Sequence, residues 1–376
     1  MSAQNELNET KIKPNPVTLL MHKKPTPSLA RLSLLLYVVA TLGLTGFIAP
    51  TNYSHRNGAQ SSVRESVYSP YLDVNLAVHS VSTASHVFFD GAGRALMGLP
   101  KTPLPIDLRA LTLAFASGEC GNEHWGGLAA QKMVDANLDA LKRADIGYII
   151  STGGADGVFS CGTESGMKRF ISRYDTSHLL GFDFNIEANQ PEPLLESLVE
   201  QIRTAMQRHP NLRFSFTLAA IGATQLGQAS LNAHGHSVMQ IIQRAGLTNY
   251  FVNLMVMNYG SAMPGNCVVN GGQCDMSASA IQAVRNFSKQ YGVPLQRIEV
   301  TPMIGMNDVR ANIFTLQDAQ ALASFVRSSN LGGLHFWSLN RDGPCDKQYQ
   351  NAVSTCSSLE ELRKLDFTNA FALDLR

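Results

Sequence analysis

From residue 71 onward, short apolar runs rich in strand-forming residues alternate with amphipathic helical patterns, and this rhythm restricts the fold more than any other feature. The runs are Tyr71–Leu76, Leu108–Phe115, Ile146–Ser151, Leu179–Glu187, Arg213–Ala219, Phe251–Tyr259, Arg297–Met303 and Gly333–Leu339. Helical patterns at Ala129–Arg143, Pro191–Arg208, Ser237–Ala245, Met276–Tyr291 and Leu316–Ser328 separate most of them. Pro191 and Pro193 suit a helix start, and Gly292-Val293-Pro294 suits a stop. Strand–helix alternation implies a parallel sheet. Eight such units over roughly three hundred residues predict an α/β fold of the (β/α)8 TIM-barrel type. A doubly wound open sheet competes, but it usually carries a glycine-rich phosphate loop after an early strand, and none occurs here.

Apolar residues make up 44% of the 376 and charged residues only 16%, enough for a large core. A net charge of +1, with no basic stripe, excludes nucleic acid as an expected partner. Residues 1–49 read differently. Lys11, Lys13, Lys23, Lys24 and Arg31 precede an apolar run, Leu32 to Ala49, which reads as a signal peptide or a signal anchor. Met21 offers an alternative start with a basic region of ordinary length. Residues 50–66 read as a polar linker, and residues 67–376 as the folded domain. The expected location is secreted or periplasmic, or anchored in the inner membrane through Leu32–Ala49 with the domain outside the cytoplasm. Six cysteines fit export and disulfides. Proximity pairs Cys267 with Cys274 and Cys345 with Cys356 and leaves Cys120 with Cys161, although six cysteines permit many connectivities. No zinc spacing appears, and His234 and His236 read as loop residues.

Within Leu180-Gly181-Phe182-Asp183-Phe184-Asn185-Ile186-Glu187, large apolar residues alternate with Asp183, Asn185 and Glu187. On a strand these three share one face. Buried acids must be satisfied, so a structural network at a strand end competes with an active site. Other strand ends are also rich in chemistry: Ser151-Thr152-Gly153-Gly154, Met255 to Gly260, Thr301 to Asp308, and Phe336 to Asp342. In a (β/α)8 barrel such ends line the active site.

These marks resemble glycoside hydrolase family 18, the chitinases and their non-catalytic relatives. Ser151-Thr152-Gly153-Gly154 matches the family's S-x-G-G strand, and Leu180 to Glu187 its D-x-x-D-x-D-x-E strand with Leu180 and Asn185 as departures. Met257-Asn258-Tyr259 resembles the M-x-Y-D strand with Gly260 at the Asp position; an alternative register puts Asn258 at that Asp and Met257 at the Tyr. Trp337 fits the tryptophan of the last strand, and Tyr68 to Val74 and Trp125-Gly126-Gly127 resemble secreted bacterial chitinase domains.

The resemblance implies a retaining, substrate-assisted glycosidase acting on β-1,4-linked N-acetylglucosamine polymers, chitin or another glycan carrying that sugar. Glu187 is the implied acid and base. Asn185 and Asp183 stand beside it, with Asp183 orienting Asn185, and Tyr259 or Asn258 holds the acetamido carbonyl. Trp337 is the implied sugar floor, a barrel-core role being its alternative. Met257, Ser151, Gly153 and Trp125 complete the expected substrate-binding set. No cofactor or metal is implied, and a monomer is expected. Asn185 replaces a carboxylate that would raise the Glu187 pKa and face a developing cation, so attenuated hydrolysis is expected. The rival reading is a lectin-like, non-catalytic binder of the same fold.

Overall fold

The computed structural model describes residues 66–76, 88–89, 95–96, 108–188 and 190–375, which lie in the compact unit Ser61–Arg376. The expected signal or anchor segment and residues 50–65 of the expected linker fall outside these residues. Among the described residues, no helix is long and apolar enough to cross a membrane.

The centre is a mostly parallel sheet with helices between successive strands. Its strands are β1 (Val67–Tyr68), β2 (Tyr71–Asp73), β3 (Ala110–Glu119), β4 (Gly147–Gly153), β5 (Leu179–Asn185), β6 (Arg213–Ala219), β7 (Phe251–Met255), β8 (Ile298–Thr301) and β9 (Gly333–Leu334). From β3 to β9, each pairs in parallel with the next along the chain. The segment 67–73 is bonded on both sides. Val67 and Tyr68 register with Gly333 and Leu334, while Tyr71 to Asp73 register with Thr112 to Ala114. The alternation expected from sequence is therefore present, and the two ends of the parallel ladder meet at residues 67–73.

The helices are α1 (Ala130–Arg143), α2 (Glu164–Tyr174), α3 (Glu192–Arg208), α4 (Ala233–Arg244), α5 (Met276–Tyr291), α6 (Leu316–Ser328) and α7 (Asp366–Asp374). Helix α2 has no counterpart among the five expected patterns; the Thr163 side chain starts it by accepting from Gly166 N. Helix α4 begins four residues before its apolar pattern because Asn232 accepts from Gly235 N. His234 and His236 thus belong to a first helical turn, not a loop. Gly292 ends α5 in the left-handed region, φ 68°.

Two chemistries separate across each strand. Phe182, Phe184, Phe214 and Phe216 face the helices and are fully or almost fully buried. Their rings lie 6.1 and 5.9 Å apart across the β5–β6 pair. The opposite faces carry polar residues. Low in the sheet, Arg213 pairs with Glu299 (Nε to Oε1, 2.6 Å) and stacks 3.5 Å over the Phe251 ring. Burial opposes Glu299 ionisation, but Arg213 and His335 hold its pKa down to about 2. Gly181 makes room there, since a Cβ would lie 2.0 Å from the Arg213 carbonyl oxygen.

The chain closes with α7. The buried Asp342 carboxylate accepts from Phe367 N, Thr368 N and Thr368 Oγ1 at 3.1, 2.7 and 2.6 Å, anchoring the first turn. The disulfides are Cys120–Cys161, Cys267–Cys274 and Cys345–Cys356, the pairing that proximity suggests.

Candidate active site

The site grows from β5. Asp183 is 2% exposed, and four hydroxyl groups from three other strands, β2, β4 and β6, donate to its carboxylate. Tyr71 and Ser151 reach Oδ2 at 2.9 and 2.6 Å, and Ser215 and Thr217 reach Oδ1 at 2.8 and 2.6 Å. Hydrogen bonds to a charged group are worth roughly 1.5–3 kcal/mol each, which offsets much of the cost of burying it. Burial still pushes the Asp183 pKa up against these four donors. Asn253 extends the network, donating to Tyr71 Oη and Thr217 Oγ1 and accepting from Thr301 Oγ1 at 2.8 Å.

Asp183 therefore does not orient Asn185. Its acceptor sites are filled by hydroxyls, and Asn185 turns the other way. Asn185 Nδ2 donates to Glu187 Oε1 at 2.9 Å, while Asn185 Oδ1 is buried without a hydrogen-bond partner. β5 ends at Asn185, so Glu187 stands just beyond it and is exposed to solvent. Desolvation by the surrounding protein raises the Glu187 pKa. The Asn185 hydrogen bond lowers it, and the charges of Asp156, Asp308 and Asp183 raise it further.

The two glycines after Ser151 have steric reasons. Gly153 has φ +78°, and a Cβ there would lie 2.2 Å from the Asn185 carbonyl oxygen; Gly154 has φ +84°, and its Cβ would lie 2.7 Å from the Phe115 ring. Only glycine allows β4 to lie so close to the Asn185 backbone. The displaced space holds Phe115, which stacks on Trp337 with centroids 5.4 Å apart and planes 17° apart. Trp337 is partly exposed, and Tyr71 packs 6.0 Å from it.

Trp125 departs from expectation. It is fully buried, and its Nε1 donates to Tyr174 Oη at 3.0 Å beside the buried Glu123, so it cannot meet a sugar. Loop polarity around Trp125-Gly126-Gly127 hid an inward-facing ring. Beyond β7, Met257 and Asn258 are partly exposed, and Asn258 Nδ2 donates to Asp308 Oδ2 at 2.9 Å. Tyr259 instead packs under Gly222, where a Cβ would lie 3.0 Å from its Cε1. Its buried hydroxyl has no partner, and burial with the charge of Asp318 pushes its pKa well up. Tyr71, Phe115, Ser215, Thr217, Asn253 and Asp308 were not singled out from sequence. For Ser215 and Thr217 the signal was available: Arg213-Phe214-Ser215-Phe216-Thr217 alternates as β5 does.

Glu119, Cys120 and Cys161 form a cluster of potential metal-ligand types, but both sulfurs belong to one disulfide and offer no thiolate.

The fold and site define an α/β domain with a carboxyl group, Glu187, just past the carboxyl end of a central parallel strand. No protein-family model matches the chain. It is 26% identical over 274 residues to an endochitinase of Metarhizium anisopliae, covering 63% of this chain and 50% of the relative. It is also 26% identical over 229 residues to a probable bifunctional chitinase/lysozyme of Escherichia coli (strain K12), covering 56% of this chain and 25% of that protein. The chain thus spans half or less of the length of these relatives. Active domain 2 of a Pyrococcus furiosus chitinase has a similar fold, with a TM-score of 0.62 and 24% identity over 83% of this chain and 95% of that one. The chain is thus similar in sequence to chitinase-type relatives and in fold to a chitinase domain.

Proposed function

We propose that the domain is a (β/α)8 barrel that hydrolyses β-1,4-linked N-acetylglucosamine chains with retention, using the substrate's own acetamido group. The observation that carries this reading is the Asn185–Glu187 pair. Asn185 Nδ2 is fixed on the Glu187 carboxyl, which leaves Asn185 Oδ1 as a buried, unsatisfied acceptor beside the acid. An acetamide N–H is the complementary donor, and a buried acceptor left unpaired costs about 1–3 kcal/mol. Chitooligosaccharides occupy complexes of a fold neighbour from Pyrococcus furiosus.

With the acetamide N–H on Asn185, the acetamido carbonyl oxygen attacks the anomeric carbon. Glu187 gives its proton to the glycosidic oxygen as that bond breaks, and a cyclic oxazolinium ion forms. Water then attacks the anomeric carbon and gives its proton to Glu187, while the bond from that carbon to the acetamido oxygen breaks and the acetamide is restored. Trp337 stacks under the reacting sugar. Asn258, rather than the buried Tyr259, steadies the acetamido carbonyl. Asn185 attenuates turnover because it brings no negative charge to the oxazolinium. The disulfides suit an exported protein, released or anchored through Leu32–Ala49 and acting as a monomer.

Asn185 also favours a second reading, a lectin-like binder that keeps the cleft without turnover. Incubation of the purified protein with chitotetraose and chitohexaose, beside Glu187→Gln, decides between them. Cleavage lost in the variant supports the hydrolase. Tight binding without cleavage by the native chain refutes it, and binding of neither sugar refutes the substrate class.

A further inference from the structure

The seam that closes the parallel ladder ends on a side chain. Where residues 67–73 lie beside the last strand, rungs come at every second residue, as parallel pairing requires. Val67 N, Ser69 N and Tyr71 N donate to the Gly332, Leu334 and Phe336 carbonyls, each at 3.1 Å. The next donor in this series is Asp73 N, and its main-chain acceptor would be Ser338. The chain leaves the sheet there and enters the 3-10 turn Leu339–Arg341. The half-buried Asn340 side chain takes the missing place. Its Oδ1 accepts from Asp73 N at 2.8 Å, and its Nδ2 donates back to the Asp73 carbonyl at 3.3 Å. One side-chain amide, carrying both an acceptor and a donor, thus stands in for a strand edge.

Asp73 stands between the two segments that carry the stacked aromatic pair. On one side is Trp337, whose own main chain bonds toward the exit of β8: its N donates to the Pro302 carbonyl at 2.8 Å, and its carbonyl accepts from Ile304 N at 3.0 Å. On the other side Asp73 registers with Ala114, directly before Phe115, and Val74 N donates to the Ala114 carbonyl at 2.8 Å. Asn75 adds a second tie, its N donating to Asp73 Oδ1 at 3.0 Å and its Nδ2 to the Phe115 carbonyl at 3.4 Å. Phe115 and Trp337 stack with centroids 5.4 Å apart. The spacing of their segments therefore sets the spacing of the rings, and the Asn340 amide fixes it at the open end of the seam.

We propose that Asn340 is a positioning residue for the aromatic floor: by standing in for the missing rung it holds Trp337 against Phe115, so that the indole offers a fixed face to a sugar. The inference rests on Trp337 being the sugar floor of the proposed hydrolase. A pyranose stacks on an aromatic ring through contact area, and a tilted ring forfeits that area. Asn340→Ala removes both bonds to Asp73. Asn340→Asp keeps the acceptor for Asp73 N and loses the return donor.

The test reads the ring directly. The chain has two tryptophans; Trp125 is fully buried and Trp337 partly exposed, so emission quenched by acrylamide reports Trp337. Quenching is measured for the native chain and both variants, with and without chitotetraose, beside kcat and KM on the same sugar. In Asn340→Ala the expected result is a higher Trp337 quenching constant, weaker shielding by chitotetraose, and a several-fold rise in KM with a smaller fall in kcat. Asn340→Asp should fall between. A quenching constant equal in the native chain and Asn340→Ala overturns the proposal, even if KM rises, because the ring would then not depend on the clamp. General unfolding of Asn340→Ala would make Trp125 quenchable as well, and Asn340→Asp then decides by the same criterion. Absence of cleavage by the native chain defeats the hydrolase reading instead, and quenching without sugar still decides whether Asn340 holds the ring.

Discussion

Replacing Asn185 by Asp asks what one charge is worth at this site. Asn185 is 5% exposed and its Nδ2 lies 2.9 Å from Glu187 Oε1. In Asn185→Asp two carboxyl groups meet at that distance and share one proton, because two adjacent carboxylates resist ionising together. The site then keeps one net negative charge while Glu187 is still a proton donor, a state the native pair does not reach. A reacting sugar hydrogen-bonded to residue 185 places its cationic centre about 4–5 Å away, where an effective dielectric of about 20 gives roughly 3–4 kcal/mol of attraction. The ground state already draws part of this through the acetamide dipole, and burying a new carboxylate offsets more. A differential gain of roughly 1.5–3 kcal/mol remains, or about 10–100-fold in kcat. The assay is product release from chitotetraose, with kcat measured from about pH 4 to 8 and Glu187→Gln in the same background as the blank. A kcat equal to or below the native value at every pH, in a folded variant that still binds the oligosaccharide, would refute the electrostatic argument.

Gly153→Ala should destabilise the domain by more than about 2 kcal/mol, since its Cβ would fall 2.2 Å from the Asn185 carbonyl oxygen at φ +78°; an unchanged urea midpoint would contradict this. Burial raises the Asp342 pKa to about 6, against the three hydrogen-bond donors of α7 and with a further push from Asp366. The folded state thus holds that proton more tightly than the unfolded chain. The resulting stabilisation is complete below about pH 4 and is lost as pH rises through about 6, worth on the order of 2–3 kcal/mol. Thermal melts should show a decline over this window in the native chain that is smaller in Asp342→Asn, and parallel declines would show that another group titrates. Ser151→Ala strands one acceptor site of buried Asp183 and should cost about 1–3 kcal/mol, read from the chemical-denaturation midpoint; a neutral result would mean that water replaces the hydroxyl.

Local pattern alone was enough for several parts of this protein. The eight alternating runs predict the parallel strands because apolar periodicity reports which faces a backbone can bury, and that holds before any partner is known. The row Asp183, Asn185, Glu187 was legible as one chemical face for the same reason, although Glu187 proved to lie just past the strand end. The short-range disulfide pairs were legible because chain proximity dominates over such distances. Helix α2 was missed although its signal was present: Thr163 caps it, and Met167, Phe170, Ile171 and Tyr174 recur at helical spacing on its buried face.

Only the tertiary structure decided who touches whom. Sequence placed Asp183 against Asn185; the fold surrounds Asp183 with hydroxyls from residues 71, 151, 215 and 217, separated from it by 32 to 112 positions. It also buries Trp125, turns the Tyr259 ring inward under Gly222, and ties Asn258 to Asp308, 50 positions further on. The chain by itself determines the strand–helix rhythm, the polar face of β5 and the identity of its acid, because each is set by local backbone geometry and residue chemistry. The ionisation of that acid and the direction in which Asn185 points are set by desolvation and by hydrogen bonds from distant strands. Those terms exist only once the strands are assembled.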